Sequence, residues 1–460
     1  MALFRSPRWR SRRSHLLPAI YLIGLLTLTG IALIWYGVNS DREYIYPLLT
    51  QLIPAGHCAC LTSTTFQCAS CLTCAHQDRL PQTALPSSPS WVFDPGQDGD
   101  NEALSRAQCI AAFPGLFEDL LRADTFWREN GGLQVEHLKH ITIKHGMARV
   151  FIHRGELYVA KALSRGEDHR RKVLAVLSAI HRALVTNLER ASYQDLEFIF
   201  SVEDKVTDVT TTDQPIWVFA RSAGEEAVWL MPDFGYWAWE NVQNSIGPYD
   251  QVVDHIKRTE IPWSQKIKRL VWRGKPSFAP KLRRALMDAA RGQPWGDIKH
   301  VDWSKRTNVM SLESHCQYMF IAHVEGRSYS AALKYRQACN SVVVVHKLQY
   351  IQHHHYLLNY VEVERDFSDL AANLKALLDD PSRAERIANN SVETFRDRYL
   401  TKAAEACYWR MLFERYSSVW NSSVPHGSKN QQKERGVRYE SFVLLDSRMM
   451  LDFDATSATS

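Results

Sequence analysis

Four short stretches carry polar residues whose spacing could support chemistry, and the first is AHVEGRSYSAALKYRQACNSVVVVH, residues 322–346. It begins as a strand, breaks at Gly326, continues as a helix and ends in β-branched residues, a pattern typical of a βαβ unit. Gly326 would let a ligand approach the backbone, and Ser328 or Ser330 would cap the helix. Free N–H groups and the helix dipole at such a turn favour a phosphate. Many turns between a strand and a helix share this pattern, so alone it is a weak indication.

The second and third stretches place charged residues where predicted strands end. VWRGKP has Arg273 and Gly274 at the carboxyl end of a strand. A guanidinium suits a diphosphate because it donates two parallel hydrogen bonds, although a surface salt bridge explains the same arginine. FIFSVEDKVTD ends a buried strand shortly before Asp204, a position where open α/β folds hold reactive groups. A helix cap or a turn aspartate is the alternative for Asp204.

The fourth stretch, PDFGYWAWEN, surrounds a polar pair with aromatic rings. Asp233, Phe234, Gly235 and Trp237 are candidates for a sugar or peptide platform. A corner of the hydrophobic core explains the aromatic residues equally well.

Metal ligands are poorly spaced in this sequence, so we expect neither a metal site nor a cofactor. Asp-x-Asp occurs only at residues 98–100, in a Pro- and Gly-rich linker, and at 452–454 near the C-terminus. The consecutive histidines 353–355 would point about 100° apart on a helix and could not share one metal. The net charge of +5 is too diffuse to indicate a nucleic-acid partner.

The N-terminus carries a predicted membrane anchor. Five arginines lie within residues 1–15, and residues 16–38 are uncharged and long enough to cross a bilayer as a helix. A cleaved signal peptide is the alternative, but its apolar core would be shorter and would end at small residues rather than at Ile34-Trp35-Tyr36. We expect a cytosolic basic tail, an uncleaved signal anchor and a luminal remainder.

Cysteine usage agrees with a luminal location. Five of the nine cysteines lie in residues 58–74, within a stem and linker predicted over residues 39–101. Disulfides within the stem, with one cysteine left to link two chains, explain this cysteine cluster better than a zinc site does. No second Cys-x-x-Cys and no histidine pair lies at the spacing of a zinc finger. Asn389 and Asn421 begin sequons that would be glycosylated there if exposed.

Alternating strand and helix patterns beyond the linker predict an α/β fold. Residues 136–163 alternate like a hairpin with a His-Arg-Gly turn, and strand and helix signals extend over more than three hundred residues in all. Such alternation implies two parallel sheets covered by helices, with a cleft between them. We predict four segments: one domain over 102–260, a second over 261–400, a helix over 401–420 and a loose tail over 421–460.

Several segments resemble the fungal branch of glycosyltransferase family 90, the capsule-associated-protein-like enzymes related to animal protein O-glucosyltransferase. They are CIAAFPGLF, FIFSVED, WLMPDFGYWAW, LVWRG, HCQYMFIAHVEGRSYS, LKYRQACNSVVVVHK, NYVEVERDFSDL and FRDRYLTKAAEACYW. The resemblance runs from about residue 86 to 420. It implies two Rossmann-like domains of the GT-B type facing a cleft, and metal-independent, inverting transfer of xylose or glucose from a UDP-sugar to a polysaccharide or glycoprotein.

The resemblance also implies roles for the candidate residues. Asp204 would be the general base that deprotonates the acceptor hydroxyl. Arg273 and Gly274 would face the diphosphate or the donor sugar. The phosphate turn would comprise Gly326, Arg327, Ser328 and Ser330, and the acceptor side Asp233, Phe234, Gly235 and Trp237. Cys316 would pair with Cys339, and Cys109 with Cys407. The expected location is the Golgi membrane, with a single-pass type II topology.

Two positions depart from the family pattern. Ala332 stands where relatives carry an arginine that would contact the diphosphate, and Gln352 where relatives tend to carry glutamate. Losing such a charge-assisted contact typically costs ~1.5–3 kcal/mol, so we expect weakened UDP binding supported by Arg273 and Arg327. A catalytically impaired luminal protein that binds glycan or nucleotide is therefore the alternative interpretation.

Overall fold

The computed structural model describes residues 91–190, 193–205, 214–239, 246–302, 304–355, 359–421 and 436–445. The predicted cytosolic tail, signal anchor and stem cysteines lie outside these ranges. Among the described residues, no helix is both long enough and apolar enough to cross a membrane.

The described strands form two sheets, one of six strands and one of five. The six-stranded sheet contains β1 Met147–His153, β2 Glu156–Leu163, β3 Leu196–Ser201, β4 Ile216–Val218, β5 Trp229–Leu230 and β11 Val437–Arg438. The five-stranded sheet contains β6 Ile267–Gly274, β7 Gly296–His300, β8 Tyr318–His323, β9 Val342–His346 and β10 Val361–Val363. The predicted α/β class with two sheets is confirmed.

Helices cover both sheets. They are α1 Pro95–Asp98, α2 Arg106–Ala112, α3 Glu118–Glu129, α4 Val135–Lys139, α5 Gly166–Val185, α6 Tyr249–Thr259, α7 Pro280–Ala289, α8 Leu333–Gln337, α9 Leu370–Asp379, α10 Pro381–Ser391, α11 Lys402–Ser418 and α12 Tyr439–Leu444. A π-helix, Val392–Tyr399, follows α10, and short 3₁₀ turns occupy Phe234–Tyr236, Trp263–Gln265, Pro276–Phe278 and Glu313–Gln317.

The five-stranded sheet is entirely parallel, as predicted for the second domain. Its strand order is β10-β9-β8-β6-β7, so the chain passes from β6 to β7 on one side and then crosses to β8 on the other. This is the flavodoxin-like order, in which ligands bind at the carboxyl ends of the two strands where the winding direction reverses. Those strands are β6 and β8, which end at Gly274 and His323.

The six-stranded sheet is mixed, which corrects the prediction of a Rossmann-like first domain. β1 pairs antiparallel with both β2 and β3, whereas β3, β4 and β5 are parallel. The pairing of β1 with β2 is antiparallel because only two residues connect these strands, whereas a parallel pair needs a much longer crossover. Arg154 and Gly155 in that connection have φ values of 53° and 73°, as a tight hairpin turn requires. The predicted hairpin is therefore confirmed over residues 147–163, whereas the start of the predicted segment belongs to the helix α4.

Packing at three places differs from the predicted segments. Pro95–Asp98 is a short helix within the predicted linker. The helix α6 precedes the predicted boundary at residue 260, yet it shares a hydrophobic cluster with Val271 of β6. Part of the predicted loose tail is ordered, because β11 pairs antiparallel with β2 and the side chains of Tyr439 and Phe442 are buried.

The described residues contain two disulfides. Cys109 of α2 is bonded to Cys407 of α11, across a separation of 298 residues. Cys316 and Cys339, 23 residues apart, are also bonded. Both predicted pairings are therefore present in the structure.

Candidate functional site

A cavity of about 1140 Å³ lies between the two sheets, and we call it the inter-sheet cavity. Arg273 at the end of β6 and the turn after β8 line one side of it, and Asp204, three residues after β3, lines the other. The structure brings together six sequence-predicted residues in this lining: Asp204, Phe234, Arg273, Gly326, Arg327 and Ser330.

The inter-sheet cavity carries an excess of positive charge. Seven of its lining residues are lysine or arginine: Lys172, Arg273, Lys275, Arg283, Arg306, Arg327 and Arg336. Three are acidic: Asp168, Asp204 and Glu313. A concave, partly apolar wall with this balance concentrates the field and favours a polyanionic ligand.

The turn after β8 differs from the expected helix-dipole site. The N–H of Gly326 donates to the carbonyl of Ser328 (3.0 Å), and the N–H of Leu333 donates to the carbonyl of Ser330 (3.1 Å). The following helix, α8, has only five residues, and within the described chain no side chain caps it. A short helix has a small dipole, so positive charge here comes from side chains.

Ser328 connects the two sides of the cavity. Its side chain is buried, and its hydroxyl donates to the backbone carbonyl of Asp204. The predicted phosphate turn and the predicted base are thus joined by one hydrogen bond. Ser328 acts here as a connector, whereas Ser330 lines the cavity.

Arg273 lines the cavity but is already engaged. Its guanidinium contacts the carboxylate of Asp297 (Nη2–Oδ2, 2.8 Å) and donates to the carbonyl of the same residue. Burial alone would raise the pKa of Asp297, yet hydrogen bonds from Arg273, Tyr318 and Lys299 lower it below the usual range. Arg273 thus forms the salt bridge that was the alternative to ligand binding. The ion pair is largely buried, however, and does not lie on the surface.

Asp204 and its neighbour Glu203 have different surroundings. Asp204 is exposed and lines the cavity, whereas Glu203 contacts Nε2 of His169 (3.3 Å).

The buried phenol of Tyr329 also lines the cavity. Burial raises the pKa of Tyr329 well above its ordinary value, and the carboxylates of Asp233 and Asp204 raise it further.

Asp233 and Gly235 hold their loop in place instead of lining the cavity. The Asp233 carboxylate lies 2.6 and 2.9 Å from Nζ of Lys334, and Oδ1 accepts the N–H of Gly235 (2.8 Å). All three residues are buried. Burial lowers the pKa of Lys334, and the Asp233 charge opposes that shift. This ion pair joins the loop after β5 to α8.

The aromatic residues of the same loop are divided between two cavities. Phe234 and Trp239 line the inter-sheet cavity, with Nζ of Lys172 5.0 Å from the centroid of the Phe234 ring. Trp237 instead lines a separate pocket of about 280 Å³, where the Arg182 guanidinium lies 5.4 Å from its ring centroid. The sequence did not distinguish Trp237 from Trp239, because the aromatic residues of this loop share one short segment.

Sequence reasoning also missed two buried arginines in the cavity wall. Arg283 of α7 donates to the carbonyl oxygens of Glu325 (3.0 Å) and Lys275 (2.7 Å). Arg336 of α8 donates from Nη1 to Nδ1 of His323 (3.0 Å). Burial lowers the pKa of Arg283 to about 10 and that of Arg336 to about 9. One signal was available for Arg336, since it follows Ala332 by four residues and so lies on the same face of a helix.

Comparison with known proteins identifies the family. The model of the glycosyl transferase family 90 matches residues 105–441. The chain belongs to glycosyltransferase family 90.

Curated relatives in family 90 match part of the chain. O-glucosyltransferase rumi of Drosophila melanogaster is 23% identical over 236 residues, which cover 46% of this chain and 56% of the relative. The O-glucosyltransferase rumi homolog of Aedes aegypti is 24% identical over 213 residues, covering 41% and 52%. The chain thus spans about half the length of the curated relatives that it matches.

A solved structure was also matched at lower similarity. It is the Anabaena protein Alr3699/HepE in complex with UDP and glucose, with 11% identity and a TM-score of 0.29. The match covers 53% of this chain and 74% of the Anabaena chain.

The remaining candidate positions of this family 90 chain are placed as follows. Ala332 lines the inter-sheet cavity and Gln352 is buried. Gly274 lies beside the buried indole of Trp272, where a Cβ would come within 2.4 Å of the ring. Asn389 and Asn421 are both exposed, and the amide of Asn421 donates to the carbonyl of Gly131.

Among the residues that the structure describes, no group of three His, Cys, Asp or Glu side chains is placed to hold a metal ion.

Proposed function

We propose that this chain transfers a sugar, glucose or xylose, from a UDP-sugar to a hydroxyl of a polysaccharide or glycoprotein, with inversion and without a metal. One observation carries the proposal: the cavity between the sheets has the Asp204 carboxylate on one wall and a cluster of lysine and arginine residues at the β6–β8 reversal point on the other. Membership of family 90 and the glucosyltransferase names of its relatives support the reaction class.

The proposed mechanism is a single displacement. Asp204 takes the proton of the acceptor hydroxyl as its oxygen bonds to the anomeric carbon of the donor sugar. The bond from that carbon to the UDP oxygen breaks, and its electron pair leaves with UDP. The lysine and arginine side chains of the cavity then stabilise the negative charge that develops on the leaving diphosphate. Phe234 and Trp239 offer apolar faces against which the acceptor sugar would pack.

The experiment compares donor turnover with nucleotide binding. Purified full-length protein is incubated with a panel of UDP-sugars, and donor hydrolysis and transfer are recorded. In Asp204→Asn we expect UDP affinity to stay nearly constant while turnover falls by about 10²–10⁴-fold, because only proton transfer is lost. Glu203→Gln is the matched control, since Glu203 contacts His169, and it should keep most of the turnover. Undiminished turnover in Asp204→Asn would assign the base to another residue.

A catalytically impaired binding protein is the second candidate. It is favoured by the contacts that already occupy two predicted ligand groups, the Arg273–Asp297 ion pair and the Ser328 hydroxyl bonded to Asp204. Tight UDP binding by the wild-type protein without hydrolysis or transfer of any donor would favour this second function.

We further propose that residues 16–38 anchor the protein in the Golgi membrane with type II topology, and that stem cysteines link two chains. The uncharged segment after five arginines supports the orientation. In intact microsomes, protease should remove a tag placed before Met1 and spare a tag placed after Ser460. The reverse pattern of protection would contradict the topology.

A further inference from the structure

Two arginines in the wall of the inter-sheet cavity are buried without a carboxylate partner. Arg283 is 7% exposed and Arg336 is 6% exposed. Arg283 donates to the backbone carbonyls of Glu325, Lys275 and Val324, and its guanidinium lies over the rings of Trp272 and Phe278. Arg336 donates to a histidine ring. In the described part of the chain, neither guanidinium forms an ion pair, and Nε of Arg336 has no hydrogen-bond partner. By contrast, Arg273 in the same wall contacts Asp297.

For Arg336 this arrangement is unfavourable in the protein alone, because Nε has no hydrogen-bond partner among the described residues. Removing a charged group from water is costly unless an opposite charge or good hydrogen bonds replace the water, and Arg283 has the hydrogen bonds but not the charge. The lowered pKa values of both arginines reflect this cost, which arises mainly from burial. The charge of Arg283 also lowers the pKa of Arg336, so the two groups lie close enough to repel each other. An anion placed between them would relieve both effects.

The histidine beneath Arg336 fixes the direction of its guanidinium. Arginine can only donate, so Nδ1 of His323 must accept and the imidazole must be neutral. Burial keeps the pKa of His323 well below its ordinary value, in agreement with that state. Because His323 ends β8, this contact holds Arg336 at the reversal point of the sheet.

The two arginines reach this point from different elements. Arg283 comes from α7, which follows β6, and Arg336 comes from α8, which follows β8. Gly326 lies between these elements, and a Cβ on it would come within 3.3 Å of Nη2 of Arg283. The backbone of the turn therefore passes directly over one of the guanidinium groups.

We propose that Arg336 and Arg283 together bind the diphosphate of the nucleotide, and that Arg336 supplies the positive charge that Ala332 lacks. Ala332 precedes Arg336 by one helical turn, and both line the cavity. Two neighbouring guanidinium groups match the several oxygens of a diphosphate, and Nε–H of Arg336 is a donor without a partner among the described residues. The identity of the anion rests on the proposed function, whereas the anion site itself rests on the two arginines.

The test measures binding of three probes to the full-length protein by calorimetry: UDP, inorganic pyrophosphate and uridine. We expect Arg336→Leu to weaken UDP and pyrophosphate binding by 10- to 100-fold, roughly the effect of one charge-assisted contact, and to leave uridine binding unchanged. Arg283→Leu should act in the same direction. Arg284→Leu is the matched control, because Arg284 is the exposed neighbour on the same helix.

A second pair of variants distinguishes a loss of binding from a loss of folding. Arg336→Lys keeps the charge but not the planar fork, so it should retain part of the affinity. Ala332→Arg combined with Arg336→Leu moves the guanidinium back by one turn and should restore UDP binding toward the wild-type value. A merely structural role for Arg336 would not be rescued in this way.

The outcomes separate this inference from the proposed function. Equal UDP affinity in the wild type, Arg336→Leu and Arg283→Leu would overturn the inference and leave the function standing. Pyrophosphate binding that depends on Arg336, without UDP binding, would support the anion site and overturn the nucleotide function. Failure of the wild type to bind either probe would overturn both.

Discussion

Gly274 follows a residue that lines the inter-sheet cavity and Gly326 lines that cavity itself, and the structure favours a small residue at each for a different reason. A Cβ at Gly274 would lie 2.4 Å from the ring of Trp272, which is 1% exposed. A Cβ at Gly326 would lie 3.3 Å from Nη2 of Arg283, the end of a flexible side chain. The first contact concerns the packing of the core, and the second concerns the position of a charged group.

The two glycines should therefore respond differently to alanine. We expect Gly274→Ala to lower the free energy of unfolding by about 1–3 kcal/mol, as overpacked cores do. We expect Gly326→Ala to change that free energy by less than about 0.5 kcal/mol, as at most sites outside the core, but to weaken UDP binding several-fold by displacing Arg283. Urea unfolding and calorimetry measure the two quantities. Equal loss of stability in both variants would contradict this distinction.

At the scale of elements, β11 and α12 complete the edge of the six-stranded sheet. β11 pairs with β2, and the hydroxyl groups of Tyr439 and Ser178 lie 2.6 Å apart. Phe442 is 5% exposed, whereas Leu444, two residues later, is 86% exposed. This short helix thus contributes one face to the core and presents the other to solvent.

The two faces of α12 allow a matched comparison. Phe442→Ala should lower the free energy of unfolding by about 3 kcal/mol or more, because it leaves a cavity in a packed core. Leu444→Ala should change it by less than about 0.5 kcal/mol, since its side chain is already in water. Urea unfolding of both variants checks the contrast. Similar values would mean that α12 does not contribute to the core.

The elements that the sequence predicted correctly are those with a local signal. Alternation and an Arg-Gly pair predicted the β1–β2 hairpin, and repeated strand and helix patterns predicted the parallel five-stranded sheet. The antiparallel pairing of β1 with β3 depends on contacts between distant segments, and β11 has two residues, too few for a periodic pattern. Local patterns do not specify such partners.

The candidate site also depends on contacts between distant segments that local patterns do not specify. Resemblance and strand ends singled out Asp204, Arg273 and Gly326, and all three lie in the wall of one cavity. They did not indicate that Asp233 is bonded to Lys334, which is 101 positions away. Whether a polar side chain faces a ligand or another side chain depends on tertiary contacts, and a single sequence carries no direct signal for those.

For the whole molecule, buried histidines couple stability to pH. Burial lowers the pKa of His315 and His346 to about 4 and that of His354 to about 3. In the unfolded chain a histidine has a pKa of about 6.5. These groups are therefore neutral when folded and take up protons when unfolded. Their contribution to stability is complete above pH 6.5, roughly, and is lost as the pH falls toward the folded-state pKa.

Replacing one buried histidine should make the pH dependence of stability shallower. Each such group contributes up to about 1.4 kcal/mol per pH unit below pH 6.5. We expect His354→Asn to reduce the slope of unfolding free energy against pH by up to that amount, as measured by urea unfolding at pH 7, 6 and 5. Exposed His255→Asn is the control. An unchanged slope in His354→Asn would show that the pKa of His354 is the same in the folded and unfolded states.

A buried carboxyl should give the opposite sign. Burial raises the pKa of Glu405 to about 8, so this group is neutral when folded and ionised when unfolded between its two pKa values. Its contribution to stability is present at low pH and is lost as the pH rises toward 8. Glu405→Gln should therefore make the unfolding free energy rise more steeply with pH. This is the opposite of the effect expected for His354→Asn.

The Cys109–Cys407 bond also has a consequence for the order in which a nascent chain can fold. The core beneath the six-stranded sheet includes Phe198 and Trp217 together with Tyr408 and Trp409 of α11. A ribosome adding about 5–20 residues per second needs roughly 15 to 60 s to synthesise the 298 residues between the two cysteines. The last strand of the five-stranded sheet, β10, ends at Val363, so this sheet and its own disulfide are complete in the chain roughly 2 to 9 s before Cys407 is added. The carboxyl-terminal sheet can therefore assemble first, while the core beneath the six-stranded sheet still lacks the residues of α11.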